Sequence, residues 1–144
     1  MNKENYFISI IGKQHYEENE SGEVKVDTVG SYEVVDGTKY ITYREYEEGN
    51  PSISSISTLT IDKQNTVTLS KENSLSSLVL EKGKRHNSFY QTDFGQINLG
   101  VFTSELINNL DDMGGKLEIN YTLDINSNIS SKNELTVTVK SIDN

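Results

Sequence analysis

The chain has 144 residues, 33% apolar and 24% charged, with 22 acidic against 13 basic side chains and a formal net charge of -9 at pH 7. That length suits one globular core and leaves no room for two, while the acidic balance, with no local basic patch, argues against phosphate backbones and anionic bilayers as partners. No Cys and only two His are present, which excludes disulfide frameworks, thiolate nucleophiles and zinc knuckles.

The residue choice favours strands: 13 Ile, 10 Val and 12 Thr stand against no Ala at all, and β-branched side chains fit a pleated surface better than a helix. In chain order, period-2 runs are read at Phe7 to Tyr16, Gly22 to Val35, Thr38 to Tyr46, Ser57 to Ile61, Thr66 to Lys71, Leu75 to Glu81 and His86 to Thr92. Three more follow. Ile97, Leu99 and Val101 alternate with polar or small neighbours, as do Leu117, Ile119, Tyr121, Leu123 and Ile125, and then Leu135, Val137 and Val139. Each pattern predicts a strand with one buried and one wet face. Asp36-Gly37 suits a two-residue type I′ hairpin, and Asp62 to Asn65, Lys82 to Lys84 and Met113 to Gly115 supply further turns.

One helix is expected at Ser104 to Leu110, where Ser104 can cap and Leu106, Ile107 and Leu110 fall at helical spacing. The alternative is that the preceding strand continues through a bulge. The polar stretches Glu47 to Ser55, which holds the only Pro, and Asn126 to Asn133 read as exposed loops. Short antiparallel strands in meander order bury one face by closing into an up-and-down β-barrel of about eight to ten strands, with residues 1–144 as one domain. No segment has the pattern of a secretory signal or a membrane-spanning helix, so a soluble cytoplasmic protein is expected.

Several segments in order, Ile41 to Glu45, Val67 to Leu69, Leu80 to Gly83, Tyr90 to Gly95, Thr103, Gly114 to Leu117 and Tyr121 to Leu123, resemble the YwiB-like family of small bacterial proteins of unknown function. The resemblance implies a calycin-like, lipocalin-like barrel and no assigned activity. Lys71 stands at a usual Arg, which removes bidentate pairing, and Asn73 at a usual Gly, which still tolerates a left-handed turn. The Gly-x-Trp signature of secreted lipocalins is missing, since the chain has no Trp.

Strand parity places Tyr43 and Glu45 on the inward face with Ile41, and Lys71 on the face of Val67 and Leu69. Glu45 and Lys71 are therefore expected to meet, either as a ligand-orienting or acid-base pair in an apolar cavity or as a structural pair near the barrel mouth. Tyr121 is the other inward polar candidate for the lumen or mouth. Tyr90, Thr92 and Gly95 read as a structural motif at a hairpin corner. Asp93-Phe94-Gly95 is no kinase element, because the chain has no glycine-rich loop, strand-Lys motif or catalytic loop. His15 and Glu17 share a strand face, and His86 is the remaining imidazole, but two His with scattered carboxylates make a weak metal set. No G-x-S-x-G elbow exists among the 17 Ser.

No catalytic residue, metal or cofactor is assigned. The leading expectation is a non-enzymatic binding protein for a small apolar or amphipathic ligand in the barrel interior. The alternative is a filled-core protein-interaction module or self-associating barrel, such as a homodimer. Third stands an acid-base enzyme using Glu45 with Tyr43 or Tyr121.

Overall fold

The computed structural model describes residues 5–16, 21–47, 49–72, 77–93, 95–126 and 128–142, excluding the side chains of residues 47, 51, 53, 90–92, 129 and 130. Ten strands form in chain order: β1 (Tyr6–Tyr16), β2 (Ser21–Val35), β3 (Thr38–Glu47), β4 (Asn50–Ile61), β5 (Val67–Lys71), β6 (Ser77–Leu80), β7 (Arg85–Thr92), β8 (Gly95–Asp111), β9 (Gly114–Ile125) and β10 (Asn128–Ser141). All lie in one sheet of order β6-β5-β4-β3-β2-β1-β10-β9-β8-β7, antiparallel throughout. That is a meander whose first and last strands pair, leaving its break between β6 and β7.

The break is stitched rather than open, which makes the barrel nearly closed. Ser88 Oγ on β7 donates to the Ser77 carbonyl on β6 at 2.8 Å. The segment after β6 lies along β8, with the Gly83 amide donating to the Thr103 carbonyl at 2.8 Å and Lys82 paired to Glu105 at 3.0 Å. These contacts cover strand edges that would otherwise invite pairing with another chain.

The inward face carries the core. Ile8, Ile41, Leu59, Ile61, Val67, Leu80, Val101, Leu117, Ile119 and Val137 are each at most 1% exposed, and burying such a side chain contributes about 1.5–3 kcal/mol. They come from β1, β3, β4, β5, β6, β8, β9 and β10, so apolar side chains converge from nearly every strand. Tyr32 on β2 stacks edge-on against Tyr6, ring centroids 5.5 Å apart, and its hydroxyl donates to the Asp111 carbonyl at 2.6 Å, joining β2 to the far end of β8.

Three sequence expectations need correction. The helix at Ser104 to Leu110 is instead the second half of β8. The β8 to β9 register shifts between Thr103 and Glu105, and one extra residue in a strand turns a period of two into a step of three. Inward positions then fall at Val101, Thr103, Leu106 and Leu110, which imitates helical spacing. Glu47 to Ser55 is not a loop: Glu47 pairs with Asn50 and β4 begins there. Pro51 is accommodated because it falls in the irregularity where the β3 to β4 register shifts, between Asn50 paired to Glu47 and Ser54 paired to Tyr46. Asn126 to Asn133 likewise lies mostly in β10, which starts at Asn128. Asp36-Gly37 forms the expected turn, with φ of 50° and 84° at its two central residues.

Candidate functional site

The site is built by a change of register partners. β2 and β3 pair from Val35 with Thr38 up to Gly30 with Tyr43, and there the ladder stops. Beyond that point, among the described residues, β2 continues through Val29 to Ser21 against β1 alone, and β3 continues through Arg44 to Glu47 against β4 alone. The two strands part, and a cleft of about 650 Å³ opens between them, lined by Val24 to Thr28 of β2, Arg44 to Tyr46 of β3, Ser54, Ser55 and Lys71.

Pleat parity sorts this lining. Thr28 and Val26 lie opposite inward Ile8 and Ile10, so Val24, Val26 and Thr28 share the inner face while Lys25 and Asp27 share the outer one. On β3, Glu45 follows Ile41 and Tyr43 inward, whereas Arg44 and Tyr46 face out, as the sequence pattern indicates.

The expected contact between Glu45 and Lys71 is present. Lys71 Nζ lies 3.2 Å from Glu45 Oε2, and Ser57 Oγ donates to the same oxygen at 3.3 Å. Ladder register explains it, since Tyr43 pairs with Ser57 and Ser57 with Lys71 across three strands. The Lys71 side chain is 54% exposed and that of Glu45 30%, so the pair sits at the mouth rather than in the core. Tyr43, only 5% exposed, has its phenol pushed above the ordinary tyrosine range by burial and then by the Glu45 charge.

The lining carries Lys25, Arg44 and Lys71 against Asp27 and Glu45, a local cationic excess in a chain of net charge -9. Arg44 donates to Ser54 Oγ at 2.9 Å and pairs with no carboxylate among the described residues. Lys25 and Asp27 are 3.8 Å apart and both well exposed, a contact too long and wet to hold either charge.

Tyr121 does not join this group. It lies on β9 between Thr103 of β8 and Asn133 of β10, and burial raises its phenol. Thr103, Tyr121, Asn133 and Gln14 occupy one cross-strand row. Asn133 Nδ2 donates to Ser131 Oγ at 3.0 Å, while Thr103 Oγ1 and Asn133 Oδ1 have no protein partner among the described residues. The backbone at Tyr90, Thr92 and Gly95 makes the β7 to β8 corner, with Thr92 paired to Gly95 and Gly95 at φ 113°; the side chains of Tyr90 and Thr92 lie outside the described residues. His15 contacts Glu134 at 2.9 Å and His86 contacts Glu81 at 3.0 Å, far apart on β1 and β7. Glu17 lies outside the described residues, among which no three His, Cys, Asp or Glu side chains gather as a metal site.

Sequence reasoning missed Val24, Val26, Lys25 and Arg44 as site residues. Their alternation marked them as strand residues, but only the end of the β2 to β3 ladder turns them into cleft walls. It also missed Arg85, whose guanidinium grips Asp124 through two hydrogen bonds, one of 2.7 Å, across the outer face of β8.

Residues 8–137 match the model of a domain of unknown function, DUF1934. The chain belongs to the DUF1934 family. Among solved structures, the ywiB protein from Bacillus subtilis superposes with a TM-score of 0.74 at 18% identity, covering 97% of this chain and 94% of that one. At that identity the likeness concerns the fold, and it agrees with the family resemblance carried by the sequence segments. No curated protein matches the chain. For this DUF1934 barrel the comparisons therefore supply architecture, and chemistry rests on the cleft itself.

Proposed function

We propose that this DUF1934 barrel is a non-enzymatic binding protein whose ligand, small, amphipathic and negatively charged, sits at the barrel mouth between β2 and β3. The observation that carries this reading is the 650 Å³ cleft, which combines an apolar wall with a cationic excess. That volume lies within the ordinary range of small-ligand sites. The interior offers less space, because the inward side chains of eight strands are almost fully buried against one another. Val24 and Val26 supply the apolar surface, and Lys25, Arg44 and Lys71 the charge. Glu45, held by Lys71 and Ser57, positions the lysine. Tyr43 beneath it stays protonated at neutral pH and serves as a hydrogen-bonding floor.

Native mass spectrometry of the protein purified from its own host tests this reading, alongside a Val26→Trp variant that fills the cleft. A stoichiometric adduct on the wild type that is absent from Val26→Trp is expected. An adduct of equal occupancy on both would move the site elsewhere, and bare protein in both would count against a resident ligand.

A further inference from the structure

Both walls of the cleft are strand edges. Among the described residues, the stretch Ser21 to Val29 of β2 pairs with β1 on one side only, and the stretch Arg44 to Glu47 of β3 with β4 on one side only. In a strand every second residue directs its N–H and C=O to the same side, so alternate backbone groups of both walls point into the gap. Natural edges are normally covered, charged or bulged to discourage pairing. Here two of them face each other across one space.

From this we infer that the occupant of the cleft is an extended peptide segment that adds a strand between β2 and β3. The inference rests on the cleft being the ligand site and names the class of ligand it takes. Because β2 and β3 run in opposite directions, the added strand is antiparallel to one wall and parallel to the other. Main-chain hydrogen bonds supply affinity, and alternate side chains supply selection. One set of side chains would meet Val24 and Val26 on the inner face. The other set would meet Lys25, Asp27 and Arg44 on the outer face, where Arg44 lacks a carboxylate partner among the described residues. The segment that fits therefore carries apolar residues on its inner side and an acidic residue opposite Arg44 on its outer side. Its doubly paired part is limited to the end of the β3 edge away from the Gly30 and Tyr43 pair, where the walls have diverged by two strand spacings, with further single-sided pairing along β2.

A two-walled slot also decides against a second copy as the occupant. The free edge of another barrel's β2 is backed by its own β1, so a second copy can pair with one wall but cannot offer both edges of that strand to two walls. A lone strand has no such backing.

The test is amide hydrogen exchange by NMR on the full ¹⁵N-labelled chain. The probes are an acetylated, amidated heptapeptide alternating valine with glutamate, the same peptide N-methylated at every second residue, and decanoate as an amphipathic anion without a peptide backbone. The heptapeptide is expected to slow exchange at alternate amides of residues 21–29 and 44–46 in a saturable manner. N-methylation should abolish that protection, and Arg44→Glu should weaken binding on the order of tenfold. If decanoate shifts the Val24 and Val26 resonances while the heptapeptide protects nothing, strand addition is overturned and the cleft remains a site for amphipathic anions. If neither probe perturbs the cleft, both readings fall. Protection of the same amides that grows with protein concentration alone would assign the edge to a second copy and overturn the peptide.

Discussion

Gly30 on β2 and Tyr43 on β3 are the last pair that the two strands share before they separate. A Cβ at Gly30 would stand 2.3 Å from the Thr42 carbonyl oxygen and 2.5 Å from Ile8 Cδ1. The missing side chain thus lets the strands close over the core at the apex of the cleft, immediately before they open. Gly30→Ala is expected to push β2 off β3 and Ile8, lowering stability by about 1–3 kcal/mol as overpacking does. Thermal unfolding should show a corresponding drop in Tm of several degrees. Faster exchange of the Ser31 to Val35 amides should accompany it, and an unchanged Tm would mean that the apex is more yielding than its contacts indicate.

A second glycine plays the same part on the outer face. The Arg85 guanidinium crosses Gly100 to reach Asp124, and a Cβ at Gly100 would lie 2.2 Å from Arg85 Nη2 and 2.5 Å from Asp124 Oδ1. Asp124 is 6% exposed, so losing its partner would strand a buried carboxylate. Gly100→Ala and Arg85→Ala should each lower Tm, and the double variant should lose less than the two single losses combined, because both break one interaction. Strict additivity in a double-mutant cycle would refute the coupling.

At the cleft, Glu45→Gln separates stability from electrostatics. The ion pair to Lys71 is half exposed and wet, so removing it should shift Tm by no more than about 2 °C. The Tyr43 phenol, raised partly by the Glu45 charge, should then titrate at lower pH than in the wild type. The check is the ultraviolet difference spectrum of phenolate formation after a rapid pH jump, read before the chain unfolds, with Tyr43→Phe identifying the signal. A Tyr43 titration that does not move would separate the two residues electrostatically.

Alkali should unfold this barrel through its buried phenols. Burial, followed by the charges of Asp111 and Asp112, pushes Tyr32 up to about 12, and burial also raises Tyr43 and Tyr121. An unfolded tyrosine loses its proton near 10, so between pH 10 and 12 the folded state holds more protons than the unfolded one. Stability from these groups is complete below pH 10 and falls as pH rises through that window. Chemical denaturation across pH 9 to 12 should show a steep decline that Tyr32→Phe makes shallower. A flat profile would mean that these phenols ionise within the fold.

Much of this was legible beforehand, and the reasons are local. Alternation in Leu117 to Ile125 and in Ile41 to Glu45 follows from one buried face, so strand identity and inward parity, including the meeting of Glu45 and Lys71, are written in neighbouring residues. Where a strand runs past the core, that signal fades: Asn50 to Ser55 and Asn128 to Asn133 look like loops because little apolar surface marks their pairing. The bulge at Ser104 replaced one period with another and imitated a helix.

Local chemistry alone thus determined an antiparallel, acidic, β-branched barrel with its turns and the facing of its side chains. Tertiary structure decided where each ladder ends. Whether β2 and β3 stay paired beyond Gly30 depends on how ten strands share the curvature of one nearly closed sheet, a condition no single segment encodes. That shared constraint makes Val24, Lys25, Val26 and Arg44 the walls of a cleft.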